Sequence, residues 1–144
     1  MPWGTAMDEL MSLGPVDDEP TDALKALVAQ AADLCLKPLR HAVRLEGEPF
    51  TTLGDCSDCL LRIDARDAEG ARQPDADLEL EIYRSSGELN LMLSSPGHEQ
   101  APVLWHGSHP VWMHPDTGLR CERPAGGAAL EALCRRLRAG LAGA

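Results

Sequence analysis

The chain has 144 residues and carries 23 acidic against 13 basic side chains, a formal net charge of −10. This length predicts one domain with an ordinary hydrophobic core. The charge argues against nucleic-acid binding, which relies on Lys and Arg. No apolar run approaches the roughly 18 residues that span a bilayer, so we expect no membrane segment. The first ten residues lack the features of a signal peptide, and five scattered cysteines favour a reducing compartment, so we expect a cytoplasmic protein.

Residues 1–20 are expected to form an acidic, flexible tail ahead of a single domain over residues 21–144. Thr5 and Asp8 resemble a capping box, and Gly14 with Pro15 would end the short helical turn that follows. Such a turn is unstable alone, so it either stays disordered or docks on the domain. The acidic side chains Asp17, Asp18, Glu19 and Asp22 form a candidate surface for a cation or a basic partner, although acidity also serves solubility.

A first helix is predicted from Thr21 to Lys37. Thr21 suits the N-cap position after Pro20, and Pro38 ends or kinks the helix. Apolar residues recur at helical spacing through this stretch: Leu24, Leu27, Val28, Ala31, Leu34 and Cys35. A short strand is expected over residues 42–45, followed by a loop over residues 46–58.

The next predicted strand runs from Cys59 to Ile63, and residues 65–76 are expected to form an exposed polar loop. The firmest prediction is a β-hairpin over residues 77–94, because two runs of alternating apolar residues flank Ser86 and Gly87. Only a two-residue loop places both apolar rows on one face. It pairs Ile82 with Leu91 and Leu80 with Leu93. The edges of this hairpin are candidates for accepting a strand from a partner.

Three further short strands are predicted at residues 103–106, 111–114 and 119–122. An amphipathic helix follows, which Gly140 or Gly143 ends; its apolar positions are Leu130, Leu133, Cys134, Leu137 and Leu141. The whole pattern predicts an α+β fold, a two-layer sandwich. An antiparallel sheet of about five or six strands would carry the N-terminal and C-terminal helices on one face.

A candidate metal site combines Cys56, Cys59, His106 and His109. Zinc commonly takes a Cys-x-x-Cys pair together with histidines, although two unrelated cysteines beside a strand are the commoner reason for such a pattern. Trp105 and His106 should point to opposite faces of their strand. The chain has no recognisable nucleophile elbow, phosphate loop or thioredoxin-like context, so we expect a protein that is not an enzyme.

The N-terminal helix, the paired strands at residues 59–63 and 78–93, and the C-terminal amphipathic helix resemble those of type III secretion chaperones. That resemblance implies a homodimer that holds an extended segment of another protein against sheet and helix patches. The order helix, sheet, helix is also similar to that of frataxins, whose Gln-, Pro- and Trp-containing strand resembles residues 100–105. This second resemblance implies iron bound by acidic side chains of the first helix.

We therefore expect a non-enzymatic, chaperone-like adaptor that binds another protein through a basic or extended segment. Met92 and the apolar residues of the N-terminal tail would add contact area. The alternative is a metal-binding protein. It would hold iron on the acidic side chains in the manner of frataxin, or zinc on the Cys and His set.

Overall fold

A computed structural model describes residues 15–47 and 58–142. These residues form two α-helices and one six-stranded antiparallel sheet, which confirms the predicted α+β class. The elements are α1 (Pro15–Cys35), β1 (Arg40–Glu46), β2 (Cys59–Arg66), β3 (Leu78–Ser85), β4 (Glu88–Ser94), β5 (Val103–His106), β6 (Pro110–Met113) and α2 (Gly127–Ala142). No helix among the described residues is long and apolar enough to cross a membrane.

Strand order in the sheet follows chain order, from β1 at one edge to β6 at the other. Both helices pack on the same face, where α1 contacts β1 and α2 contacts β4 and β5. The helices also pack against each other, with Gly140 of α2 against Leu27 of α1. The buried core between the two layers contains Leu24 and Val28 of α1, Leu133 and Leu137 of α2, and Leu61, Ile63, Leu80, Ile82, Leu91, Leu93 and Leu104 of the sheet.

The β3–β4 hairpin has the predicted register. Ile82 lies opposite Leu91, and Leu80 lies opposite Leu93. Ser86 and Gly87 form the two-residue loop with φ values of 55° and 80°. Positive φ at both central residues defines the type I′ turn, whose twist matches that of the flanking strands. A glycine at the second position adopts this conformation without steric cost.

Helix α1 begins at Pro15 rather than at Thr21, and it ends at Cys35 rather than at Lys37. A proline is well tolerated at the first position of a helix, where its missing N–H would have no intrahelical partner. From the sequence, Pro15 is as suitable for that first position as Pro20. Acidic residues follow Pro15, and the positive end of the helix dipole favours them. Because the helix begins at Pro15, Pro20 lies inside it instead of marking its start.

Two other predicted boundaries differ from the structure. Residues 119–122 do not form a full strand, because only one isolated bridge, between Met113 and Arg120, links them to β6. Gly140 does not end α2, which continues to Ala142. The helical turn predicted near Thr5, the loop residues 48–57 and Gly143 lie outside the described residues.

The loop between β2 and β3 is anchored by a buried carboxylate that the sequence reading did not identify. Asp77 accepts a hydrogen bond from the Ala65 backbone N–H at 2.7 Å, and Arg72 donates to both of its carboxylate oxygens at 2.9 and 2.8 Å. The hydrogen bond from Arg72 is the main cause that lowers the pKa of Asp77, and the Ala65 bond adds to it against the effect of burial. The loop predicted as simply exposed is therefore fixed to the sheet at its end.

Candidate functional site

The face of the sheet opposite the helices is here called the open face. Every second residue of each strand points toward it. One row crosses it from β2 to β6. Cross-strand pairing places the members of this row side by side: Leu60, Glu81, Met92, Trp105 and Val111. All except Glu81 are half-buried. The neighbouring row adds Val103 and Met113, which pair with each other and are also half-buried.

This composition departs from the usual one for a solvated sheet face. Antiparallel sheets that are covered on one side normally present polar side chains on the other. The open face follows that rule over β1 and β2, where Arg44 donates to Asp64 at 2.9 Å. That contact raises the pKa of Arg44. Over β5 and β6 the rule fails, since the outward residues there are Val103, Trp105, Val111 and Met113, and Met92 of β4 adjoins Trp105. The open face therefore has a charged half and an apolar half.

A depression of about 150 Å³ lies where these halves meet. Its lining residues are Leu60, Glu79, Glu81, Met92, Ser94 and Val103. They come from four consecutive strands, β2 to β5, so the register of the sheet alone brings them together. Leu60, Met92 and Val103 supply apolar surface, while Glu79 and Glu81 supply two carboxylates from β3.

The two carboxylates differ in their surroundings. Glu79 lies 3.9 Å from Arg62 NH1 across the β2–β3 pair. Glu81 is exposed and forms no ion pair within the described part of the chain. The depression is thus apolar on its floor, and at its rim it carries the negative charge of Glu81, which no described residue compensates. Such a site favours a ligand that is apolar along its length and positive at its end.

Trp105 contributes the largest apolar side chain of the open face. Its register partner is Met92, whereas the next residue, His106, pairs with Leu91 on the helix-covered face. This confirms the prediction that Trp105 and His106 point to opposite faces. The indole Nε1 of Trp105 is buried without a hydrogen-bond partner among the described residues.

The residues of the predicted zinc site are not brought together where the structure describes them. Cys59 and His106 lie in the same cross-strand row, but Ile82 and Leu91 separate them. Three strand spacings amount to roughly 14 Å, which is too far for two ligands of one zinc ion. His106 Nδ1 instead lies 2.9 Å from the backbone oxygen of Gly107. His109 is exposed in the β5–β6 turn, and Cys56 lies outside the described residues.

The acidic candidates Asp17, Asp18, Glu19 and Asp22 all belong to the first turns of α1. The Asp22 carboxylate lies 3.6 Å from Lys25 Nζ, one turn further along the helix. Within residues 15–47 and 58–142, no group of three or more His, Cys, Asp or Glu side chains is arranged to hold a metal ion.

A buried thiol in α2 is unsuited to nucleophilic chemistry. Cys134 has no solvent exposure, and burial raises the pKa of its thiol to about 12. A thiol must lose its proton to act as a nucleophile, so Cys134 stays protonated and packs as a small apolar residue.

The hairpin edges, which were expected to offer a place for a partner strand, are partly paired within the sheet. β2 pairs with residues 78–82 of β3, and β5 pairs with residues 91–93 of β4. Residues 83–85 and 88–90, next to the hairpin turn, have no partner strand on their outer sides among the described residues. The sheet as a whole ends at β1 and β6. The outer side of β6 is partly covered, because Cys121 N–H donates to the Trp112 oxygen at 2.9 Å and His114 N–H donates to the Leu119 oxygen at 2.8 Å.

The sequence reading missed Leu60, Glu81 and Val103 as site residues. Alternation along β3 places Glu81 on the outward face, which is a signal that could have marked it. Leu60 and Val103 lie in strands with apolar residues on both faces, so alternation gives no such signal for them. Their meeting point depends on the register between separate strands, which alternation does not encode.

Comparison with known proteins gives a family but no characterised relative. No curated protein and no solved structure matches the chain. The family model described as "Domain of unknown function (DUF8659)" matches residues 25–140, a range that begins within α1 and ends within α2 and contains the whole sheet. The chain belongs to this DUF8659 family.

Proposed function

We propose that this protein is a non-enzymatic adaptor that holds an extended segment of another protein against the open face of its sheet. The observation that carries the proposal is the half-buried apolar surface of Leu60, Met92, Trp105 and Val111 on a face that no described helix covers. Contiguous apolar surface rimmed by polar residues marks sites of protein interaction more often than it marks ordinary solvated surface.

The chemistry of the surface supports binding rather than catalysis. Met side chains adapt their shape to different partners, and Trp contributes a large contact area to interfaces. The Met and Trp side chains themselves do not transfer protons or attack carbonyl groups. We place the adaptor in the cytoplasm, since the five scattered cysteines suit a reducing compartment.

The test is capture of partners by the tagged full chain from its native cell, followed by mapping of the contact surface. The Met92→Ser variant should lose the captured partner. Leu34→Ser is the matched control, because Leu34 is 52% exposed on α1 and lies outside the sheet. Hydrogen exchange of the complex should show protection in β3, β4 and β5.

Equal capture by the two variants would contradict the proposal, as would partner-dependent protection confined to α1 and α2. Protection restricted to β1 would instead indicate strand addition at the edge of the sheet. That outcome would also overturn binding on the open face.

A further inference from the structure

The depression on the open face is too small for a cofactor or a drug-sized ligand. Its volume of about 150 Å³ falls below the range of roughly 300–1,000 Å³ that such ligands occupy. A single side chain of a bound segment is a better match for this size. The identity of that side chain follows from the lining.

The floor consists of aliphatic and thioether groups. Leu60 and Met92 flank Glu81 in one cross-strand row, and Val103 lies on the neighbouring strand β5. A flexible hydrocarbon stem would remove this surface from water without needing a hydrogen bond. A short polar side chain would gain little here.

The rim carries negative charge on one side. Glu79 and Glu81 lie two residues apart on β3, so their backbones are separated by about 7 Å. Arg62 NH1 lies 3.9 Å from a carboxylate oxygen of Glu79 and partly compensates its charge. Glu81 has no ion-pair partner in the described ranges. The chain as a whole is strongly acidic, which attracts positive segments over distance.

From these features we infer that the depression receives the side chain of one lysine or arginine of the bound segment. The inference rests on the proposed function and specifies its partner. The aliphatic stem lies against Leu60, Met92 and Val103, and the charged end reaches Glu81 and Glu79. Lysine and arginine both bury a stem while keeping the charge at its tip near water or a carboxylate.

The probes are five-residue peptides that differ only at the central position, which is lysine, arginine, norleucine or glutamate. Norleucine keeps the lysine stem and removes the charge. Each peptide is titrated into the full chain, labelled with ¹⁵N, while the backbone amide signals are followed. The lysine and arginine peptides should shift the signals of Leu60, Glu81 and Met92, and their relative affinities decide between the two cations.

The norleucine peptide should bind up to about fivefold more weakly than the lysine peptide, which is the upper end of the effect of one exposed charge pair. Raising the salt concentration should reduce this difference. Glu81→Gln keeps the shape of the side chain and should weaken the lysine peptide by about the same factor without affecting the norleucine peptide. Glu69→Gln, in the exposed turn after β2, is the matched control for the loss of one charge and should bind like the unmodified chain.

Equal binding of the lysine and norleucine peptides would overturn the inference, and so would shifts that lie outside β2 to β5. A glutamate peptide that binds as well as the lysine peptide would overturn it too. The proposed function has a separate test, since a native partner captured through Met92 could still bind without any dependence on Glu81.

Discussion

The indole Nε1 of Trp112 donates a hydrogen bond to Glu131 Oε2 at 2.7 Å and so joins the edge strand β6 to helix α2. Both residues are buried. Arg123 NH1 lies 3.4 Å from the other carboxylate oxygen and compensates its charge. The bond fixes α2 over the β6 edge of the sheet.

The first prediction compares the two tryptophans of β5 and β6. Trp112→Phe should lower the free energy of unfolding by about 1.5–3 kcal/mol, because it leaves Oε2 of the buried Glu131 carboxylate without its donor. Trp105→Phe should cost less, since its Nε1 has no partner among the described residues. Urea unfolding of both variants gives the comparison, and equal losses would show that the bond to Glu131 contributes nothing specific.

The second prediction concerns neighbouring positions of β3. Ile82 is fully buried opposite Leu91, so Ile82→Ala should destabilise the protein by about 2–5 kcal/mol. Glu81 points to the open face, and Glu81→Ala should change stability by no more than about 0.5 kcal/mol. Denaturant melts measure both variants. If Glu81→Ala were as damaging as Ile82→Ala, the open face would not be open in the folded protein.

The third prediction concerns pH. The pKa of Asp77 in the folded chain is lowered below its ordinary value of 3.8, mainly by the hydrogen bond from Arg72. The ionised carboxylate therefore contributes stability that is complete above about pH 4 to 5 and is lost as the pH falls through the folded pKa. Asp77→Asn should lower stability at pH 7 by about 1.5–3 kcal/mol and should flatten this acid-induced loss.

Asp75→Asn is the control for Asp77, because Asp75 is an exposed carboxylate in the short 3₁₀ turn just before it. Melting temperatures measured from pH 7 down to pH 2 compare the variants. If Asp77→Asn and the unmodified chain lost the same stability as the pH falls, the acid sensitivity would belong to other carboxylates.

The fourth prediction tests the hairpin turn. Gly87 has φ of 80°, and no atom of the described residues lies within 4 Å of its side-chain position, so crowding by those residues plays no part there. Gly87→Val should destabilise the hairpin by about 1–2 kcal/mol through backbone strain alone. Ser86→Asn should stabilise it, because asparagine adopts positive φ more readily than serine. Thermal melts of the two variants should move in opposite directions.

The hairpin was predictable because its information is local. Leu80 and Ile82 alternate with glutamates, and Leu91 and Leu93 alternate with Asn90 and Met92, which left one register that keeps both leucine and isoleucine rows on one face. The start of α1 was less predictable, since Pro15 and Pro20 satisfy the same rule for helix starts.

The candidate site was not predictable in the same way. Leu60, Glu81 and Val103 are far apart in the chain, and only the pairing of β2 to β5 makes them neighbours. Likewise, the Cys and His pattern suggested a metal site, yet strands β3 and β4 separate Cys59 from His106. The spacing of residues in the sequence shows which side chains share a face of one strand or helix. It does not give the distance between residues on different strands.

The agreement between strand order and chain order has a kinetic consequence. Each strand pairs with the strand that precedes or follows it in the chain. The sheet therefore forms through contacts of low sequence separation, which favour rapid folding. The packing of Leu27 against Gly140 instead joins the first helix to the last and closes nearly the whole chain. We therefore expect the six strands to pair early in folding, and α1 and α2 to pack against each other and the sheet last.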